Sequence, residues 1–207
     1  MGRRQKRYER RQAKRQQKRE ARLEKYQSFE NVASINALYK AAWQSAKGVK
    51  WKESVQRYLL NILFNINKSR KELLAGKDVR KGFIKFDICE RGKVRHIQSV
   101  HFEERVIQKA LCANILNPVM THNLITDNGA SQKNKGTFYA TQRLIDSLHR
   151  HYNKYGNNGY VLMIDFKSYF DNIEHKPIEE QLRKYLKDQK VINLTMDFVN
   201  AFGEKKV

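Results

Sequence analysis

Asp165 directly follows five apolar residues, Tyr160 to Ile164, and Phe170 and Asp171 stand five and six positions beyond it. A run that is apolar on both faces suits a strand sandwiched inside a sheet under helix cover. An acid just past such a strand sits at the sheet edge, where open α/β architectures bind their ligands. Hard divalent cations prefer carboxylate oxygens, and chemistry on a triphosphate uses them to bridge its oxygens and activate a hydroxyl. Asp165 is therefore the candidate metal ligand. The pattern alone is not distinctive, because apolar strands ending in Asp recur across α/β proteins. An aspartyl phosphatase usually repeats the acid two residues on, where this chain has Lys167.

A second pair of candidates lies upstream. Lys93 and Arg95 fall in a run of strand-like alternation, Lys93 to Val100, preceded by a similar run from Phe83 to Ile88. The residues between them end in Arg91-Gly92, so the two runs read as a β-hairpin. Side chains on a strand alternate with period two, which puts Lys93 and Arg95 on one face. Two cations side by side suit phosphate oxygens, and Arg adds a planar fork. The plainer reading is a solvated hairpin face.

Helices must carry both candidates. Val32, Ile35, Leu38, Tyr39 and Ala42 repeat at three and four residues, as do Val55, Tyr58, Leu59, Ile62, Leu63 and Ile66, the spacing of an amphipathic helix. Gly76 ends the second of these. Phe102, Val106, Ile107, Ala110, Leu111 and Ile115 predict another, stopped near Pro118. Thr137 opens a helix to about Tyr155, and 156–159 form the turn into the apolar run. Pro177 fits the first turn of a further helix, and a last one covers Ile192 to Phe202.

Charge narrows the partners. Forty-two Lys and Arg against twenty-one Asp and Glu leave +21, which points to a polyanion, nucleic acid before a membrane surface. Twelve of the cations crowd into the first twenty-five residues, where Leu23 is the only large aliphatic after Met1. Such a segment buries no core, yet its Gln, Arg, Lys, Glu and Ala favour helix. It reads as a solvated arm, or as one that neutralises phosphates. No apolar run reaches the ~20 residues of a membrane span, and the start lacks a secretory core. Cys89 and Cys112 have no metal-ligand spacing and read as reduced, structural residues of a cytoplasmic chain.

Together these segments resemble the reverse transcriptase family. Residues 159–175, GYVLMIDFKSYFDNIEH, are similar to motif A of its palm, with the phrase F-D-x-I-x-H complete. Residues 92–95, GKVR, resemble the G-K-x-R of its fingers. Glu104, Arg105 and Gln108 resemble its D-R-V-x-Q helix, with Glu for Asp and with Pro118 following. Residues 130–137, ASQKNKGT, resemble its F-R-x-G-R-G-T segment more loosely, since Ser131, Gln132 and Asn134 depart from the pattern. The ordered set spans about residues 80–207 and looks closest to bacterial and phage retroelement enzymes.

The resemblance implies an RNA-directed DNA polymerase that extends a DNA or RNA primer on an RNA template. Asp165 would be the catalytic acid and Mg²⁺ ligand. Phe170 would be the gate that excludes a 2′-hydroxyl, unless it is simply core. Lys93, Arg95, Phe166, Ser168 and Tyr169 would join it around the deoxynucleoside triphosphate. Lys133, Lys135 and Gly136 would lie along the nucleic acid. Asp171 is assigned a structural or hydrogen-bonding role, and His175 the orientation of the turn. Two Mg²⁺ ions are expected only in a complete enzyme, because the Y-x-D-D acids of the family are not among these 207 residues. The chain alone is expected to be inactive, needing a complementing C-terminal polypeptide. The expected fold is α+β: a basic arm over 1–28, helix-rich fingers with a hairpin over 29–158, and an incomplete palm over 159–207. Two readings compete, an RNA-dependent RNA polymerase fragment and a non-catalytic nucleic-acid-binding protein derived from a reverse transcriptase.

Overall fold

Stretches of helix-forming residues flank one β-branched hairpin in the computed structural model, which describes residues 2–167 and 169–201 without the side chains of Phe170 and Asp171. Five helices come first: α1 (Arg3–Tyr26), α2 (Glu30–Ala33), α3 (Ile35–Ala46), α4 (Glu53–Leu60) and α5 (Ile62–Leu74). The hairpin strands β1 (Phe83–Glu90) and β2 (Lys93–Val100) follow, then α6 (Phe102–Leu111), α7 (Asn117–Met120) and α8 (Thr137–Tyr155). Last are α9 (Tyr169–Asn172), α10 (His175–Tyr185) and α11 (Gln189–Asn200). Among the described residues the sheet has two antiparallel strands, so the composition is α+β and strongly helical. No helix there is long and apolar enough to cross a membrane.

The chain divides into two units, Met1–Val119 with Glu174–Val207, and Met120–Ile173. The core of the first lies where α3 packs against α5 and α6. Val32, Leu38, Ile66, Val106, Ile107 and Ile115 are wholly buried there, each stabilising the fold by roughly 1.5–3 kcal/mol. Small residues on α3 (Ala37, Ala41, Ala42 and Ala46, all buried) let its neighbours approach closely. Ser34 caps α3 by accepting from the Ala37 N–H at 3.3 Å. Gly76, at φ +63°, ends α5 in a left-handed turn. There the Gly76 N–H reaches the Leu73 carbonyl and the Lys77 N–H the Glu72 carbonyl, which satisfies two of the orphan carbonyls of the helix end.

Three helices differ from the sequence expectation. The apolar repeat from Val55 to Ile66 is not one helix, because Asn61 at φ −112°, ψ 35° separates α4 from α5. The helical run that begins at Phe102 ends at Met120, near Pro118 as expected, but it is not one regular helix. A π turn over Cys112–Leu116 intervenes and α7 carries the chain past the proline. Pro118 lacks an N–H for the residue 114 carbonyl, and the wider turn just before it absorbs that missing bond. The last helix starts earlier than Ile192, because Asp188 caps it by accepting from the Lys190 N–H at 2.9 Å. The same carboxylate accepts from the Phe29 N–H at 3.0 Å. Both cysteines are free as expected, but neither is buried.

The larger correction falls in the second unit. Tyr160 to Ile164, expected as a buried strand, pairs with no other strand among the described residues, and these side chains are 65% to 105% exposed. A strand apolar on both faces needs a neighbour along its edge and cover on each side, and the described residues supply neither. α8 matches its expected span and turns at Gly156. Its apolar stripe of Phe138, Leu144, Ile145, Leu148, Tyr152 and Tyr155 is likewise uncovered.

Candidate functional site

The hairpin turns on two residues, Arg91 at φ +51° and Gly92 at φ +75°. Positive φ at both central positions is the tight hairpin turn whose twist matches the flanking strands, and glycine favours its second position. That turn fixes the register, from Glu90 opposite Lys93 to Phe83 opposite Val100. Lys93 and Arg95 consequently share a face with Glu90, Ile88, Phe86 and Ile97. Arg95 Nη1 lies 3.1 Å from Glu90 Oε2, and both side chains are more than half exposed. A pair so exposed contributes on the order of 0–1 kcal/mol, so Arg95 is easily drawn to a stronger anion. On the other face His96 Nδ1 lies 2.7 Å from Asp87 Oδ1.

The base of the hairpin is held far more firmly than its tip. Glu104, at the start of α6, is 2% exposed. Its Oε2 accepts the Lys81 N–H at 3.0 Å and its Oε1 accepts the Gln108 side-chain amide at 2.9 Å. Arg105 donates to the Ser99 hydroxyl at 3.0 Å. Glu104, Arg105 and Gln108 are the residues of the D-R-V-x-Q likeness, and here they tie both strand roots to one helix. Just before β1, Arg80 grips Asp78 at 2.7 Å and donates to the Asp197 carbonyl of α11 at 3.2 Å. Hydrogen bonds from the Arg80 guanidinium and backbone hold the Asp78 carboxyl down to about 2. Compared with known proteins, the chain matches no family model and no curated sequence.

The second unit holds the remaining candidates. Lys133, Lys135 and Gly136 share the loop before α8. Lys135 Nζ donates to the Thr126 carbonyl at 2.8 Å and lies 5.0 Å from the Tyr139 ring centroid. Tyr139 donates to the same carbonyl at 2.7 Å, and Arg143 Nε meets Asp127 at 2.6 Å. Lys135 is thus engaged in shaping its own loop, whereas Lys133 is exposed. Gly129 packs against the start of α8, where a Cβ would come within 3.1 Å of Ala140 Cβ and 3.3 Å of the Gly136 carbonyl.

Asp165 is exposed, outside any helix or strand. Phe166 and Tyr169 stack loosely beside it in sequence, their ring centroids 6.0 Å apart and tilted by 45°. Ser168 and the side chains of Phe170 and Asp171 lie outside the described residues. Among the described residues no three His, Cys, Asp or Glu side chains gather into a metal cage. Mg²⁺ requires octahedral oxygen donors, and a two-ion site gathers several carboxylates. Asp165 alone does not make such a site.

Several contacts had no plain sequence signal. Glu104 looked like a conservative replacement, and only its burial shows it as a bracket for the hairpin. His151 Nε2 hydrogen-bonds the Asn158 carbonyl at 2.8 Å, and a Cβ on Gly159 would lie 2.5 Å from that nitrogen. A side chain at position 159 would require the exposed His151 ring to move aside. His175, buried at the start of α10, meets Asn200 Oδ1 of α11 at 3.0 Å, a contact that ties these two helices together.

Proposed function

We propose that this chain is the N-terminal part of an RNA-directed DNA polymerase, contributing the fingers hairpin that handles the incoming deoxynucleotide. The hairpin is the observation that supports this reading most. Its rigid root and solvent-facing tip carry Lys93 and Arg95 on one face, with Arg95 held by a weak ion pair that a triphosphate can displace. The guanidinium would donate to two phosphate oxygens through its fork, and Lys93 would add a point charge beside it. Asp165 would supply one carboxylate toward Mg²⁺, which polarises the phosphates and the primer hydroxyl when bound. The further carboxylates of such a centre would come from a segment carrying Y-x-D-D. RNA template, primer and deoxynucleotides are the partners this reading requires, in a cytoplasmic setting.

Primer extension tests it. The chain alone should extend no primer on an RNA template with Mg²⁺ and deoxynucleotides. The chain joined to the polypeptide that its reading frame encodes after codon 207 should do so. In that context Arg95→Ala should raise the deoxynucleotide KM at least tenfold, and Phe170→Ala should admit ribonucleotides. Equal use of both nucleotide types by the unmutated protein would instead mark an RNA-dependent RNA polymerase. A second reading, a non-catalytic nucleic-acid-binding protein, draws support from the dense, largely exposed cations of α1. RNA binding unchanged in Asp165→Ala, with no synthesis in any combination, would decide for it.

A further inference from the structure

The cations of α1 are not spread evenly about its axis. Wound at roughly 3.6 residues per turn, Arg3, Arg7, Arg11, Lys14, Lys18 and Arg22 form one continuous stripe, with three more cations inside the same third of the circumference. Glu9, Glu20 and Glu24 fall on the opposite side, where Gln5 and Gln16 donate to Glu9 and Glu20 at 3.1 Å. Over 24 residues the stripe runs ~36 Å.

A third flank fastens the helix to the first unit. Leu23 is 5% exposed. Arg19 Nη2 donates to the Lys184 carbonyl at 2.6 Å, and its guanidinium lies 5.2 Å from the Tyr185 ring centroid. That carbonyl belongs to the last turn of α10, the end of a helix that attracts a cation. Asn31 donates to the carbonyls of Lys25 and Tyr26 at 3.1 Å. Docking therefore engages only the C-terminal turns of α1, and residues 2–21 are exposed. The stripe lies on neither the docking flank nor the acidic side.

We propose that α1 is a preformed cationic rail that lies along the phosphodiester backbone of a nucleic acid through this one face, without reading bases. A membrane surface fits poorly, because the helix has one large aliphatic residue, Leu23, and it is already buried. Insertion into a duplex groove also fits poorly, since Glu9 and Glu20 would then face the phosphates of the opposite wall. Phosphate neutralisation alone is sequence-independent and salt-sensitive. The site goes beyond the polymerase reading and stands without it.

The full chain, titrated by fluorescence anisotropy into labelled single-stranded RNA, duplex RNA and duplex DNA of unrelated sequences, tests the rail. Changing Arg7, Arg11, Lys14, Arg15 and Lys18 together to Gln keeps good helix formers in place. Loss of about five phosphate contacts should flatten the slope of log affinity against log salt by ~3–5 and lower affinity at least tenfold. A second variant, Glu9→Arg, Arg11→Glu, Lys18→Glu and Glu20→Lys, keeps composition and net charge but interrupts the stripe. Far-UV circular dichroism should show its helix intact, and its affinity should fall severalfold. Unchanged affinity in this variant means that bulk charge suffices and overturns the proposal. So does a tenfold preference for one base sequence, or tighter binding to phosphatidylserine vesicles than to any nucleic acid. Arg95→Ala should leave the salt slope of this binding intact, so the rail and the polymerase reading fail by separate results.

Discussion

Tyr58 shows how one buried group shapes the response of the whole chain to pH. Burial of its ring pushes the phenol up to about 12, with the Glu103 carboxylate adding to the effect. The nearby Ser69 hydroxyl eases this slightly, but neither hydroxyl makes a proper hydrogen bond. A phenol raised in the folded state stabilises fully below its unfolded value near 10, and that contribution is lost as pH rises through 12. Stability to urea should accordingly fall between pH 10 and 12, and Tyr58→Phe should remove that part of the fall. At pH 7 the same change should be neutral or slightly stabilising, because it deletes an unsatisfied buried hydroxyl while keeping the edge-to-face contact with Phe102 at 5.1 Å. Denaturation curves of the two proteins at pH 7 and pH 11 check both halves. At this scale the sequence spoke clearly where geometry is local. Lys93 and Arg95 share a face because strands alternate, and no tertiary knowledge was needed. It was silent about Glu104 and Arg80, whose partners lie 23 and 117 residues away.

Among the elements, the hairpin was the most readable. Its turn residues and alternation gave both strands, with β1 running two residues beyond the expected Ile88. α8 was also readable, and its expected span from Thr137 to about Tyr155 is the one observed. Boundaries set by tertiary contacts were not readable, as Asn61 and Asp188 show, and the π turn before Pro118 had no sequence signal. What the hairpin depends on is equally a matter of distant contacts. Glu104→Ala would leave the Lys81 N–H without its buried acceptor and Gln108 without its partner, which should cost about 2–3 kcal/mol. Glu104→Gln retains an acceptor and should cost about half as much. Urea unfolding measures the loss, and amide exchange at 81–84 and 99–100 should accelerate more than exchange within α3. If α3 and the hairpin lose protection equally, Glu104 supports the core as a whole and not the hairpin root.

On the scale of the molecule, the first unit builds a buried core around α3, α5 and α6, Ser34 and Asp188 cap two of its helices, and the hairpin is bracketed at its root, although Leu60, Leu63 and Phe64 stay exposed. The second unit contradicts its own sequence. The sequence predicts a long helix and an apolar strand there, and the described residues leave the apolar side chains of both uncovered; pattern states what a segment requires, while only assembly supplies it. Tyr160 to Ile164 therefore has a practical meaning for anyone handling the isolated chain. Five uncharged residues, three of them (Tyr160, Val161 and Ile164) of high β propensity, whose backbone pairs with no strand among the described residues, are a template for stacking against copies of themselves. A net charge of +21 holds such copies apart in dilute buffer, but salt screens that repulsion within ~8–10 Å at ordinary ionic strength. Screening that cationic surface is thus what invites copies to stack, so low ionic strength is the natural storage condition for the isolated chain.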